Sequence, residues 1–215
     1  AIALDPRNGK LLALVSLPSF DNNLFIRGLS SQDLSLMEES ASKPFFNRSI
    51  SGQYPPGSTI KPLVAAAALE ERLISPTTKI ECLGSISVPS QYNPDVIFRF
   101  LDWKAHGVTD LYSAIANSCN VFFYTIGGGF GKREGLGPDK LAEYCSLFGF
   151  GQASEIDLPG EASGFIPTPA WKAEERNEKW YIGDTYHFAI GQGDILVTPL
   201  QIAQLTSVVA NSGTL

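Results

Sequence analysis

Apolar residues change their spacing several times along the chain, and each change predicts an element. "AIALDPRNGKLLALVS" is two apolar runs around Asp5-Pro6-Arg7-Asn8-Gly9, and Asn8-Gly9 suits the positive φ of a tight turn, so residues 1–16 are expected to form a hairpin. Residues 17–54 are loop-rich, with a short surface helix expected from Gln32 to Ser42. "YPPGSTIKPLVAAAALEERL" halts the chain with prolines and glycine and then turns almost wholly apolar. That pattern predicts a buried helix from about Thr59 to Leu73, with Pro62 in the first turn, where its missing N–H is harmless. Residues 76–108 read as irregular or weakly stranded. "DLYSAIANS" predicts a helix to about residue 117, "VFFYTIGGGFG" an apolar segment closed by glycines, and "GPDKLAEYCSLFGFG" a helix from near Asp139 to Gly149. After a turn-rich stretch and an exposed charged run, "KAEERNEKW", a last helix is expected over 198–213, with Pro199 in its first turn.

One position breaks the pattern. Lys61 is the only charge on its apolar helix before Glu70. Burying an ammonium is unfavourable unless it is paired or sheds its proton, and desolvation lowers a lysine pKa toward values at which the amine can serve as a base. Ser58 lies three residues earlier, on the same helix face and at the helix N-terminus, where N–H groups and the dipole favour negative charge. A nearby base and a positive setting are what a serine nucleophile needs. Ser-x-x-Lys alone equally describes a helix-capping serine with a snorkelling lysine. It occurs a second time at Ser40–Lys43, in a polar stretch with no apolar helix to desolvate Lys43.

Composition narrows the partners. The 215 residues are 44% hydrophobic and 11% aromatic, enough for one sizeable packed domain. A net charge of −6 argues against nucleic acid or an anionic membrane surface as a partner. No run approaches the roughly 20 apolar residues of a membrane-spanning helix. Ala1 already lies within a strand pattern, so the chain is expected to be a piece of a longer protein.

Ser58-Thr59-Ile60-Lys61 followed by Ser118-Cys119-Asn120 resembles the penicillin-binding serine acyltransferases, which carry Ser-x-x-Lys and then Ser-x-Asn or Ser-x-Asp. "ALDPRNGKLLALVSLPSFD", "FGFGQASEIDLPGEASGFIPTPAWK", "WYIGDT" and "AIGQGDILVTPLQIAQ" match further landmarks in family order. "DWKAHG" and "WYIGDT" lean toward the class B transpeptidases of the cell-elongation machinery. The resemblance implies an α/β (α+β) fold of the penicillin-binding and serine β-lactamase type, an antiparallel sheet flanked by helices plus a helical subdomain. Residues 1–215 would be one transpeptidase domain truncated at both ends, with the hairpin at 1–16, the helical region with the active-site serine and Ser-x-Asn loop at 58–150, and the final helix at 198–213.

It further implies that Ser58 attacks the penultimate D-Ala carbonyl of a peptidoglycan stem peptide, with Lys61 as its base. Ser118 would relay a proton to the leaving D-alanine, Asn120 would bond substrate amide and Lys61, and the Ser58 N–H would supply half an oxyanion hole. β-Lactams would trap Ser58 as an acyl-enzyme. The expected setting is the extracytoplasmic face of a bacterial membrane, beside a glycosyltransferase partner and anchored by an N-terminal segment. The third family motif, Lys-Thr-Gly or Lys-Ser-Gly, does not occur here and is expected beyond Leu215 with the remaining sheet strands, so little turnover is expected of these residues alone. The alternatives are a D,D-carboxypeptidase or β-lactamase, in which water resolves the acyl-enzyme, and a zinc-stabilised, non-catalytic scaffold of the wall-synthesis complex.

Cys82, Asp102, His106 and Cys119 form a second constellation, spaced by 20, 4 and 13 residues, with side chains that are ordinary zinc ligands. Some relatives of the elongation-type enzymes carry Cys, Asp or His at matching positions with zinc bound, which implies a structural zinc here. Cys119 lies between Ser118 and Asn120, and in an extended loop its side chain points away from theirs, so a metal would anchor the catalytic loop from behind. A Cys82–Cys119 disulfide is the rival. Three cysteines cannot all pair internally; Cys145 is expected in the core, and His187 as a packed histidine.

Overall fold

A computed structural model describes all of residues 1–215. β1 (Ile2–Asp5) and β2 (Lys10–Leu14) pair antiparallel with Asp5 opposite Lys10, as the alternating runs predict. Asp5 closes the turn by accepting from the Arg7 backbone and guanidinium. α1 (Asn23–Ile26) and α2 (Ser31–Glu38) follow, and Ser30 caps α2 by accepting from the Asp33 N–H. The second helix therefore ends four residues short of the expected Ser42.

The buried helix begins differently from expectation. Gly57–Ile60 form a 3₁₀ turn, and α3 runs from Lys61 to Glu70. Pro62 has no N–H to give to an α-helical turn, and the chain tightens ahead of it, with the Lys61 N–H donating to the Ser58 carbonyl. Arg72 at φ 56° ends the helix in the left-handed region. Residues 76–108 are more ordered than their pattern indicates. β3 (Ile80–Cys82) pairs with β6 (Gly107–Thr109), and β4 (Ser85–Pro89) pairs with β5 (Ile97–Leu101), both antiparallel. The six strands form three separate two-stranded antiparallel sheets.

α4 (Leu111–Ala116) is capped by Asp110, and α5 (Asn120–Gly128) starts directly after it. The apolar segment after residue 120 is therefore a helix, and Val121–Gly127 are buried on every side. Phe122, Phe123 and Ile126 gain about 2 kcal/mol each from that burial. α6 (Gly137–Leu147), α7 (Pro169–Arg176), α8 (Ile182–Ala189) and α9 (Pro199–Ala210) complete the chain. α5 and α8 pack so closely that a Cβ at Gly128 would sit 2.5 Å from the Tyr186 ring, so the apolar run needs its glycines for a helix crossing.

Two expectations fail here. "KAEERNEKW" is not wholly exposed, since α7 occupies its first part and buries Lys172 against Asp184. α8, whose polar residues interrupt its apolar face, has no counterpart in the sequence reading. The final helix starts as expected, with Thr198 and Gln201 forming a reciprocal cap. No helix is long and apolar enough to cross a membrane.

Candidate active site

Ser58 lies on the 3₁₀ turn, exposed, while Ile60 just behind it is fully buried. The turn is held from outside: the Gly57 N–H donates to the Gly191 carbonyl at 2.8 Å. Gly57 and Gly191 both have positive φ, 56° and 72°, and any Cβ on Gly191 would collide with the Gly57 carbonyl. "AIGQGD" therefore serves the nucleophile turn through a glycine that only this close approach explains.

Lys61 is 2% exposed. Its Nζ donates to the Ser118 carbonyl at 2.8 Å and to Asn120 Oδ1 at 2.7 Å, and lies 3.0 Å from Ser118 Oγ. The Ser118 hydroxyl in turn donates to Ser58 Oγ at 2.9 Å. All four predicted residues are thus joined, but in a particular order. No direct Lys61–Ser58 hydrogen bond forms; Ser118 stands between them. Burial lowers the Lys61 pKa to about 8, against the opposing pull of Asp102 and Cys119. A neutral amine has two N–H groups and one lone pair. The carbonyl and amide oxygens can only accept, so they take both N–H groups and leave the lone pair facing Ser118 Oγ. With both hydroxyl hydrogens turned the other way, Ser58 donates to Ser118 and Ser118 to Lys61, which is a proton path from nucleophile to base.

Asn120 and Ser118 come into range through a sharp bend: Ser118 has φ 53°, and Cys119 returns to φ −67° as the cap of α5, its Sγ accepting from the Phe122 N–H. Cys119 is fully buried while Ser118 and Asn120 are part-exposed and turn toward Lys61, so its side chain points to the opposite side, as expected. There it meets Cys82, Asp102 and His106, with ligand atoms all within 4.8 Å of one another. Cys82 and Cys119 are free thiols, not a disulfide.

The four side chains are the donor types of a closed zinc site, close enough together to share one ion after small adjustments. Bonds of about 2.0–2.3 Å place four ligand atoms roughly 3.3–3.8 Å apart. Cys82 Sγ is 3.4 Å from Asp102 Oδ2, and His106 Nε2 is 3.5 Å from Asp102 Oδ1. That second contact lacks hydrogen-bond alignment, leaving His106 Nε2 buried without a partner. Burial pushes the Cys119 thiol well above its ordinary value, so a thiolate there requires a cation. Burial also works against the Asp102 carboxylate, yet N–H donors from Val121 and Trp103 hold it below its usual range.

Cys145 is in the core, as expected. His187 is not packed inside: it is exposed on α8 with its ring edge-on to Phe100 at 5.8 Å. Lys43 of the second Ser-x-x-Lys is exposed in a loop. Trp103, part of the "DWKAHG" landmark, donates its indole N–H to the Asn117 carbonyl beside Ser118. No periodicity or spacing could have revealed that contact.

Comparison with known proteins identifies the family. The family model described as the penicillin-binding protein transpeptidase domain matches residues 1–215. The peptidoglycan D,D-transpeptidase MrdA of Acinetobacter baumannii is 39% identical over 214 residues, 99% of this chain and 30% of that protein. The crystal structure of Pseudomonas aeruginosa PBP2 superposes with a TM-score of 0.87 at 37% identity, covering 99% of this chain and 46% of that one. A structure described as coordinating polymerization and crosslinking by a peptidoglycan synthase complex gives 0.81 at 36% identity, covering 99% of this chain and 34% of that one. The chain thus spans about a third of the curated relative's length. It belongs to the penicillin-binding protein transpeptidase domain family.

Proposed function

We propose that this chain is the nucleophile-bearing part of a peptidoglycan D,D-transpeptidase. The observation that carries the proposal is the continuous Ser58–Ser118–Lys61–Asn120 network around a buried lysine whose pKa is pulled toward neutrality. Ser58 Oγ attacks the penultimate D-Ala carbonyl of a stem peptide. Its proton passes to Ser118 Oγ while the Ser118 proton passes to Lys61 Nζ. The return path gives a proton to the leaving D-alanine nitrogen, and an acyl-enzyme remains on Ser58. An acceptor stem amine then attacks, loses its proton along the same path and releases Ser58 with the cross-link made. Asn120 orients Lys61 and the substrate amide, and the Ser58 N–H would supply half of the oxyanion hole. A β-lactam enters the same first step and stays attached.

A setting at the bacterial cell wall is supported by relatives named peptidoglycan D,D-transpeptidase, and the partner proposed is the glycan-polymerising enzyme of the same complex. Cys82, Asp102, His106 and Cys119 would hold a zinc ion that anchors the 118–120 loop without taking part in the reaction. Metal analysis of the purified full chain checks this: one zinc per chain, lost in Cys82→Ser, is expected, and a metal-free protein with oxidised thiols would contradict it.

The test of function is covalent labelling of the full chain with fluorescent penicillin. Stable labelling of wild type and none of Ser58→Ala is expected. Equal labelling of both would overturn the nucleophile assignment, and rapid hydrolysis of the penicillin would favour the β-lactamase alternative.

A further inference from the structure

Residues 117–121 are gripped at both ends by two consecutive residues of a distant segment. Trp103 Nε1 donates to the Asn117 carbonyl at 3.2 Å, and Asp102 Oδ2 accepts from the Val121 N–H at 2.9 Å. The two grips are tied together, because Asp102 Oδ1 accepts from the Trp103 backbone N–H at 2.8 Å. Ser118, Cys119 and Asn120 lie between them. Helix α4 ends at Ala116, so the Asn117 carbonyl lies beyond it and needs an acceptor role elsewhere. Ser118, with φ 53°, occupies a region that a residue with a side chain holds only when its surroundings fix it.

Trp103 is 63% exposed, so burial does not explain its placement. It is located by its hydrogen bond, by the His106 ring 5.1 Å away and by Lys104 over its face at 4.5 Å.

We propose that Trp103, braced by Asp102, is a positioning residue that holds the Ser118–Asn120 loop in the bend presenting Ser118 Oγ to Ser58 and Asn120 Oδ1 to Lys61. The inference rests on the acylation role given to those four residues. Releasing the Asn117 carbonyl leaves the peptide plane next to Ser118 held from one side only, by the Ser118 N–H on the Ile115 carbonyl at 3.1 Å, and small displacements of reacting groups lower rates steeply. Loss of one neutral hydrogen bond corresponds to about a three- to tenfold lower population of the competent loop. Binding before the chemical step would weaken by no more than the same factor, through the substrate contact given to Asn120.

The test uses the full chain with Trp103 replaced by its benzothiophene analogue, which keeps the ring shape and removes only the N–H, alongside Trp103→Phe. Single-turnover acylation by fluorescent penicillin separates the acylation rate constant from the prior dissociation constant, and hydrogen–deuterium exchange is followed on peptides spanning 113–123. The expected result is an acylation rate constant about three- to tenfold lower, a dissociation constant that changes less than the rate constant, and faster exchange confined to that segment. An unchanged rate constant overturns the proposal. So does exchange that rises evenly along the chain, which would mark a general role in folding, or a dissociation constant that alone changes, which would mark a substrate contact. Were wild-type protein not acylated at all, the acyl-enzyme reading would fail, and the exchange pattern by itself would still decide whether Trp103 holds the loop.

Discussion

Lys61 and Lys172 are both helix lysines, 2% and 7% exposed, and their surroundings drive them in opposite directions. The close partners of Lys61 are a carbonyl, a hydroxyl and an amide, all neutral. Burial dominates and its pKa falls to about 8. Burial also acts on Lys172, but Asp184 Oδ2 at 2.8 Å and Glu178 Oε2 at 3.6 Å outweigh it and raise that pKa. Desolvation therefore makes a lysine a base only where dipoles, not carboxylates, receive its N–H groups. Lys172 is a structural tie between α7 and α8, whereas Lys61 is poised for proton transfer.

The largest effect that could break this contrast comes from Lys61→Met, a similar volume without the amine. The acylation rate constant of the full chain should fall about 10²- to 10⁴-fold, measured by stopped flow with a chromogenic penicillin. A fall under tenfold would deny Lys61 its role. Lys172→Met should instead destabilise the fold by about 2–3 kcal/mol in urea titration, by stranding the part-buried Asp184, and leave the acylation rate constant unchanged.

Asn120→Asp sharpens the comparison by giving Lys61 the kind of partner Lys172 has. A carboxylate there raises the lysine pKa, so acylation at neutral pH should drop about tenfold and the rising limb of the pH–rate profile should move to higher pH. An unmoved limb would mean that neutral partners do not set the pKa.

The smallest effect is the pH dependence of stability. For Lys61 the folded pKa lies below the ordinary 10.5, so the unfolded chain binds more protons between pH 8 and 10.5 and stability rises with pH across that window. For Lys172 the folded pKa lies above 10.5, so its contribution is complete below that pH and is lost only as pH rises through the folded value. Relative to wild type, Lys61→Met should thus lose stability by about 1 kcal/mol per pH unit in that window, and Lys172→Met should not. Urea midpoints at pH 8 and pH 10 test the pair.

What the sequence made legible follows from how local the signals are. Ser58 and Lys61 are readable because they lie three residues apart, on a 3₁₀ turn that runs straight into α3, and the apolar face of α3 requires Lys61 to be buried. Ser118 and Asn120 were found through the family pattern, and their approach to Lys61 depends on a φ 53° bend that no spacing encodes. The hairpin at 2–14 is legible for the same local reason, since its turn chemistry is contained in five residues. α8 was missed because its buried Thr185 and Tyr186 are satisfied by Trp180 and by the Gly129 carbonyl, partners that only tertiary packing supplies. The burial of Lys172 is hidden from the sequence for a like reason: its carboxylate partner lies 12 residues away, on the next helix.

The most direct measurement is the titration of Lys61 itself, by following the side-chain carbon resonances of ¹³C-labelled lysine in the full chain, with Lys61→Met to assign the signal. A midpoint near pH 8, moving upward in Asn120→Asp, is the predicted result. A midpoint at the ordinary 10.5 would mean that the amine stays charged at neutral pH and cannot receive the Ser58 proton.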